Sequence, residues 1–209
     1  MQRCPHCQTE LESALGCNAC GTLLDPPAVL SPFELFGFEP GFALDPRALE
    51  KRLRATMRLV HPDVYASAPA FMLERAERNS ARLNGAYLTL ADPVARADWL
   101  VSWLGGPSES QQRSLPQQFL HEVLEWNEML EEARAGAPPA LEGLSSLESM
   151  LRSRRAEALQ TAERLLTPLP ERGSPRLSDV RSQLNAIRYF ERTLSEIEEL
   201  HLRGPARLP

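Results

Sequence analysis

The chain has 209 residues, of which 43% are hydrophobic and 24% are charged, and its formal net charge is −5. This composition excludes an intrinsically disordered chain, and no apolar run approaches the ~20 residues that a membrane-spanning helix needs. The negative charge argues against nonspecific binding of the whole chain to nucleic acid. The first residues lack the apolar core of a secretory signal, so we expect a cytoplasmic protein.

The first 27 residues contain all four cysteines, arranged as Cys4-x-x-Cys7 and Cys17-x-x-Cys20. Two thiolates two residues apart can bind one metal ion, and a loop between two such pairs lets the second pair complete a tetrahedron. The pattern predicts a closed structural site, with zinc as the expected metal, in a small knuckle module whose folding depends on the ion. A disulfide-bonded or redox-active segment is the alternative, and His6 could in principle replace one cysteine.

Helical periodicity marks the next segment, residues 31–106. Ser31-Pro32 and Asp45-Pro46 each place a capping side chain before a proline, which is a common start of a helix. The predicted helices cover residues 32–36, 46–60, 70–91 and 94–104.

The second of these helices has a basic face that leads into the tripeptide His61-Pro62-Asp63. Pro62 stops the helix, so an exposed turn is predicted there. Four basic side chains fall within about 60° of each other, opposite the apolar stripe, and no acidic residue interrupts their face. Most charged helix faces are simply solvated, but this one is expected to attract and orient an acidic partner. The four residues are Arg47, Lys51, Arg54 and Arg58.

The last segment, residues 113–204, is predicted to contain three long amphipathic helices. They cover residues 115–135, 141–166 and 177–202, and the breaks between them contain glycine and proline. Long amphipathic helices with short connections predict a three-helix bundle. The predicted fold class is therefore all-α: a helical hairpin and a three-helix bundle, preceded by the zinc-binding knuckle module.

Two leucines in the first helix of this segment, Leu120 and Leu124, lie about 100° or more from the stripe that packs into the bundle. Leucines flanked by carboxylates on an outward face indicate a protein-binding patch, unless they form the shoulder of a wide core face. Tyr189, on the last helix, points nearly opposite the core stripe of that helix. The polar residues beside the leucines are His121, Glu125, Glu128 and Glu132.

The tripeptide and its surroundings resemble the J-domain family, and the match covers nearly all of residues 32–104. The resemblance implies that His61, Pro62 and Asp63 trigger ATP hydrolysis by a DnaK-type chaperone, on which the basic face docks. Many members of the family have a basic residue directly after the tripeptide, whereas this chain has Val64. The other residues that carry the match are Asn84-x-Ala86-Tyr87-x-x-Leu90, Asp92-Pro93 and Arg96.

Residues 31–37 (Ser-Pro-Phe-Glu-Leu-Phe-Gly) and 95–100 (Ala-Arg-Ala-Asp-Trp-Leu) resemble HscB, the J protein of iron–sulfur cluster assembly. The resemblance implies an HscA-type chaperone as one partner and an IscU-type scaffold protein as the client. It also implies that the outward patch holds the scaffold, with Tyr189 adding to the site. His121 replaces an apolar residue expected there. The residues of the implied client site are Leu120, His121, Leu124, Glu125, Glu128, Glu132 and Tyr189.

No catalytic arrangement is recognisable, because the four histidines are scattered and no glycine-rich phosphate loop or activated nucleophile is present. We therefore do not expect an enzyme. The alternatives are a general J protein for unfolded clients, which would lack the acidic-apolar patch, and a zinc-dependent helical adaptor that binds nucleic acid or acts in redox chemistry. A nucleic-acid module would need basic residues near the cysteines, where only Arg3 is present. A homodimer is compatible with the sequence.

Overall fold

The computed structural model describes residues 3–27, 29–113 and 115–203, with backbone alone for Pro138, Pro139, Leu141 and Arg203. Within these residues the chain forms seven α-helices and no strand beyond two isolated bridges, so the predicted all-α class is confirmed. The helices are α1 (Pro32–Leu35), α2 (Pro46–Val60), α3 (Ala70–Ala91), α4 (Pro93–Trp103), α5 (Gln117–Arg134), α6 (Pro138–Leu166) and α7 (Arg176–Arg203), with a 3-10 turn (Pro62–Tyr65) between α2 and α3.

The chain divides into two compact units, Met1–Leu100 and Val101–Pro209. In the first unit, α2 and α3 pack against each other as a hairpin, and α1 packs on α3. In the second unit, α5, α6 and α7 pack pairwise as the predicted three-helix bundle. The predicted segment boundaries (1–27, 31–106 and 113–204) stay a prediction.

Local sequence signals explain where the helices begin. The Ser31 hydroxyl accepts from the Glu34 N–H at 3.1 Å, and the Glu34 carboxylate accepts from the Ser31 N–H at 2.8 Å. This reciprocal capping box lowers the pKa of Glu34, because its backbone and side-chain hydrogen bonds to Ser31 favour the carboxylate. The largest difference from the predicted helix starts is at α6, which begins at Pro138 rather than at residue 141, because proline is tolerated in the first turn of a helix.

The core of the first unit is built from residues that recur at helical spacing on α2 and α3. Leu49, Thr56 and Val60 of α2 are buried, as are Ala76, Leu83, Ala86 and Leu90 of α3. Asn79 of α3 is a polar residue that is also fully buried. Its side-chain amide donates to the Leu24 carbonyl at 2.7 Å, and this bond explains a polar residue on a core face.

The cysteine segment packs on the helical hairpin within the same unit. Arg82 of α3 donates to the carbonyls of Pro26 and Pro27 at 3.0 and 2.7 Å, and Arg78 pairs with Asp25 at 3.1 Å. Near α1, the Gly37 backbone has φ +63°, and an added Cβ would lie 2.6 Å from the Glu12 carbonyl oxygen. The two parts are therefore joined by direct contacts and not only by a linker.

Candidate functional site

The four cysteine sulfurs lie together in the described part of the chain, all within 4.8 Å of one another. The Cys4 and Cys20 sulfurs are 3.7 Å apart, and those of Cys7 and Cys17 are 3.6 Å apart. A tetrahedral ion with metal–sulfur bonds of about 2.3 Å requires sulfur–sulfur distances of about 3.8 Å. The four sulfurs therefore fit a tetrahedral metal ion, and His6 is not needed as a ligand.

Two similar backbone turns position these sulfurs. The Gln8 N–H donates to the Cys4 carbonyl and, thirteen residues later, the Gly21 N–H donates to the Cys17 carbonyl, each at 2.9 Å. Gln8 and Gly21 both adopt positive φ, 61° and 72°. The segment is thus a short structural repeat of the form Cys-x-x-Cys-x-Thr, which sequence analysis missed.

The threonine of each turn contacts the second cysteine of its pair. Hydrogen bonds from the side chain and backbone of Thr9 lower the pKa of Cys7 to about 6, and Thr22 lowers the pKa of Cys20 in the same way. A backbone hydrogen bond from Cys20 lowers the pKa of Cys17, but burial and the neighbouring thiols outweigh it and raise that pKa to about 11. Four adjacent thiols cannot all ionise easily unless a cation lies between them, because neighbouring thiolates repel one another.

The His61-Pro62-Asp63 tripeptide forms the exposed start of the 3-10 turn. The Asp63 side chain is 90% exposed, and its backbone N–H donates to the His61 ring nitrogen Nδ1 at 3.3 Å. Behind the turn, the Tyr65 hydroxyl donates to the Leu59 carbonyl at 2.8 Å, and burial raises the pKa of Tyr65. The Asp63 carboxylate also lies 3.6 Å from His61 Nδ1. These local contacts hold the turn while the carboxylate stays exposed at the surface.

All four basic residues predicted on α2 are exposed. The expectation that no acidic residue interrupts their face is wrong at one edge, because the Glu50 carboxylate pairs with Arg54 at 3.3 Å. Residues four positions apart lie on the same side of a helix, which explains the contact. Both side chains are more than half exposed, so the pair weakens the positive charge of this face only slightly.

The residues of the predicted client patch lie at the surface of α5. Leu120 is 43% exposed and Leu124 is 58% exposed, whereas Phe119 and Trp126 of the same helix are buried in the bundle core. Their polar neighbours His121, Glu125, Glu128 and Glu132 are exposed as well.

Tyr189 lies next to α5 rather than on a free face of α7. Its ring packs edge-on against Phe119, with 5.8 Å between centroids, and 36% of the residue is exposed. The prediction that it points away from the core stripe of α7 overlooked α5, which packs on that side. The contact brings Tyr189 beside Phe119 and therefore close to the start of the patch.

An arginine of α6, Arg154, packs against this region. The guanidinium of Arg154 lies over the rings of Phe119, Trp126 and Phe190, at 5.4 to 5.7 Å from their centroids, and pairs with Glu122 of α5. Sequence analysis missed Arg154, because nothing within α6 indicates that its charge will meet aromatic residues from two other helices.

Comparison with known proteins gives the family. Residues 115–198 match the family model described as the HSCB C-terminal oligomerisation domain. A curated relative, the Co-chaperone protein HscB homolog of Neisseria meningitidis serogroup A (strain Z2491), is 40% identical over 121 residues, which cover 57% of this chain and 72% of the relative. The homolog from Bordetella pertussis (strain Tohama I) is 38% identical over 135 residues, 64% of this chain and 77% of its own length.

Two solved structures share the fold. The crystal structure of the human co-chaperone protein HscB matches 97% of this chain and 100% of its own length, with a TM-score of 0.75 and 24% sequence identity. The chaperone HscB from Vibrio cholerae matches 83% of this chain and 99% of its own, with a TM-score of 0.67 and 24% identity. Among the described helices, none is long and apolar enough to cross a membrane. On the strength of the curated relatives, the chain belongs to the HscB family of co-chaperone proteins, which are not enzymes.

Proposed function

We propose that this chain stimulates ATP hydrolysis by a DnaK/HscA-family chaperone and delivers to it an IscU-type scaffold protein of iron–sulfur cluster assembly. The observation that carries the proposal is the exposed His61-Pro62-Asp63 turn, which follows a helix with a basic face. Membership of a co-chaperone family agrees with this role. The favoured site of action is the cytoplasm.

Asp63 acts on the chaperone by binding and not by chemistry of its own. Its exposed carboxylate can accept hydrogen bonds from donors of the chaperone and rearrange the polar contacts that hold the ATPase in its slow state. The bonds from Asp63 N–H to His61 and from Tyr65 to Leu59 fix the turn before binding, so less conformational entropy is lost on docking.

The test of this role is Asp63→Asn, which keeps the size of the side chain and removes its charge. We expect stimulation of single-turnover ATP hydrolysis by the chaperone to be lost, while affinity for the scaffold is unchanged. Asp179→Asn, the same change at an exposed carboxylate of α7, serves as the matched control. Full stimulation by Asp63→Asn would refute the proposed docking site.

The client site is proposed on α5, where Leu120 and Leu124 form an apolar spot bordered by Glu125, Glu128 and His121. A scaffold surface that offers apolar side chains with basic neighbours would complement it. Replacing both leucines by serine should weaken scaffold binding by about 10- to 100-fold, as expected for a central apolar contact. Leu88→Ser, at a leucine of α3 that is 70% exposed, should leave scaffold affinity unchanged. Unchanged affinity in the double variant would remove the client-site assignment.

We propose zinc as the metal of the cysteine segment, held by Cys4, Cys7, Cys17 and Cys20. When bound, zinc crosslinks the two turns and has no open position for catalysis. Elemental analysis of the purified, reduced protein should give one zinc per chain, and replacing the four cysteines by serine should remove it. Protein that is purified without a metal ion under reducing conditions would refute this assignment.

Self-association is proposed as a second property of the bundle, because the matching family model is described as an oligomerisation domain. Sedimentation velocity over a range of protein concentrations tests it. A homodimer should give a concentration-dependent mass, and a constant monomer mass would refute it.

A further inference from the structure

An apolar residue directly follows the His61-Pro62-Asp63 turn, which we call the docking turn. Val64 follows Asp63 directly and is 62% exposed. It lines a shallow pocket of about 460 Å³ together with Met57, His61, Arg54 and Arg58. We call this the Val64 pocket. Its floor is apolar, formed by the valine and the half-buried Met57, and its rim is cationic.

The two arginines of the rim differ in their partners. Arg54 pairs with Glu50, whereas Arg58 makes no ion pair with any residue in the part of the chain that the structure describes. An exposed guanidinium beside an apolar floor suits a partner group that is itself apolar and carries a carboxylate next to it.

We propose that the Val64 pocket receives an apolar side chain of the chaperone that is flanked by a carboxylate, the carboxylate pairing with Arg58, and that Val64 thereby selects the chaperone partner. This inference rests on the proposed function and names the chemistry of its docking partner. A different chaperone could place a carboxylate directly against Val64. That carboxylate would lose its hydration without gaining a cationic partner, so binding of such a chaperone would be weaker.

The selectivity has two separable components. Contact with Val64 is apolar, so its contribution should persist at high salt, whereas pairing with Arg58 is exposed and should be screened by salt. Burying one valine side chain corresponds to about a tenfold change in affinity. Asp63 remains intact in variants of Val64, so they should change the chaperone concentration needed for stimulation and not the maximal rate.

The experiment titrates the full-length chain against the HscA-family chaperone of the same organism and measures single-turnover ATP hydrolysis. Val64→Ser and Val64→Arg should raise the half-maximal concentration about tenfold with an unchanged maximal rate, and Val64→Ile should match the wild type. The Val64→Ser defect should be equal at low and high salt, whereas the defect of Arg58→Gln should shrink at high salt. Leu88→Arg, which introduces the same charge at an exposed leucine of α3 outside the pocket, should behave as the wild type.

The outcomes separate this inference from the proposed function. If the wild type stimulates hydrolysis and Asp63→Asn does not, but Val64→Ser and Val64→Arg match the wild type, the Val64 pocket is refuted and the docking function stands. If the wild type fails to stimulate the chaperone at all, both are refuted. Circular dichroism of each variant checks the fold, which substitution of an exposed residue should preserve.

Discussion

Helices α2 and α5 both combine a charged face with exposed apolar side chains, but their charges are opposite. α2 carries five basic residues and one acidic residue, whereas α5 carries five glutamates and one arginine. Each helix has exposed apolar side chains at or beside its charged face: Val64 after the end of α2, and Leu120 and Leu124 on α5. If these are the two proposed binding surfaces, we expect the apolar side chains to contribute affinity and the opposite charges to keep each partner off the other partner's surface. The net charge of −5 conceals this separation.

The two surfaces differ in what holds them in place. The docking turn is fixed by bonds between residues close in sequence, such as Tyr65 to Leu59, within a unit that also contains the cysteine cluster. The patch on α5 lies beside Phe119, which contacts Arg154 and Phe190 from the other two helices of the bundle. Substitutions in the cysteine cluster should therefore affect the stability of the first unit. Substitutions in the aromatic cluster, formed by Phe119, Trp126 and Phe190, should affect that of the second.

The largest expected effect comes from removing the metal. Zinc binding by small cysteine modules is worth roughly 10–16 kcal/mol in apparent free energy, and about 25 residues cannot bury a stable core without it. Chelation or replacement of the four cysteines should expose the amides of residues 3–25 to rapid hydrogen exchange, while α5, α6 and α7 keep their protection. His6→Ala should resemble the wild type. Undiminished protection of residues 3–25 would contradict a structural role for the ion.

The aromatic cluster should give the next largest effect. Phe119 is 8% exposed and contacts three aromatic rings, whereas its neighbour Leu120 is 43% exposed. Phe119→Ala should lower the free energy of unfolding by about 3–5 kcal/mol, and Leu120→Ala by less than about 1 kcal/mol. Urea denaturation measures both values. Equal losses would mean that Leu120 belongs to the core and not to a binding patch.

Arg154 should have a smaller effect of the same kind. Arg154→Met keeps much of the side chain but removes the charge that contacts three rings and Glu122. This substitution should lower the free energy of unfolding by about 1–3 kcal/mol. Arg152→Met is the matched control on the same helix, because Arg152 is 67% exposed and, among the residues that the structure describes, pairs only with Glu148. Urea denaturation should show that Arg152→Met lowers the free energy of unfolding by less than about 0.5 kcal/mol. Similar losses for the two variants would show that the aromatic contacts of Arg154 contribute nothing.

Much of the fold could be predicted from sequence because its signals are local. The capping residues Ser31 and Asp45 and the prolines that follow them are read within a few positions, and α2 and α3 have the predicted bounds. The cysteine spacing likewise predicted a cluster that the four sulfurs form. The exposure of Leu120 and Leu124 followed from their angle to the core stripe.

What sequence could not predict depends on contacts between distant residues. Asn79 has a partner 55 positions away at Leu24, and Arg154 reaches rings on two other helices. The position of Tyr189 was predicted from its angle around α7 alone, and this angle does not show that Phe119 of α5 packs against the same side. The repeat of the two cysteine turns was hidden because only the cysteines and threonines recur.

The most direct test of the central claim is the rate of single-turnover ATP hydrolysis by the HscA-family chaperone with this chain, the IscU-type scaffold, or both. If one chain engages the chaperone with its docking turn and the scaffold with its patch, the rate with both proteins should exceed the product of the separate stimulations. Asp63→Asn should abolish stimulation, and the variant with serine at positions 120 and 124 should keep the basal stimulation but lose the synergy. Synergy retained by either variant would contradict the account.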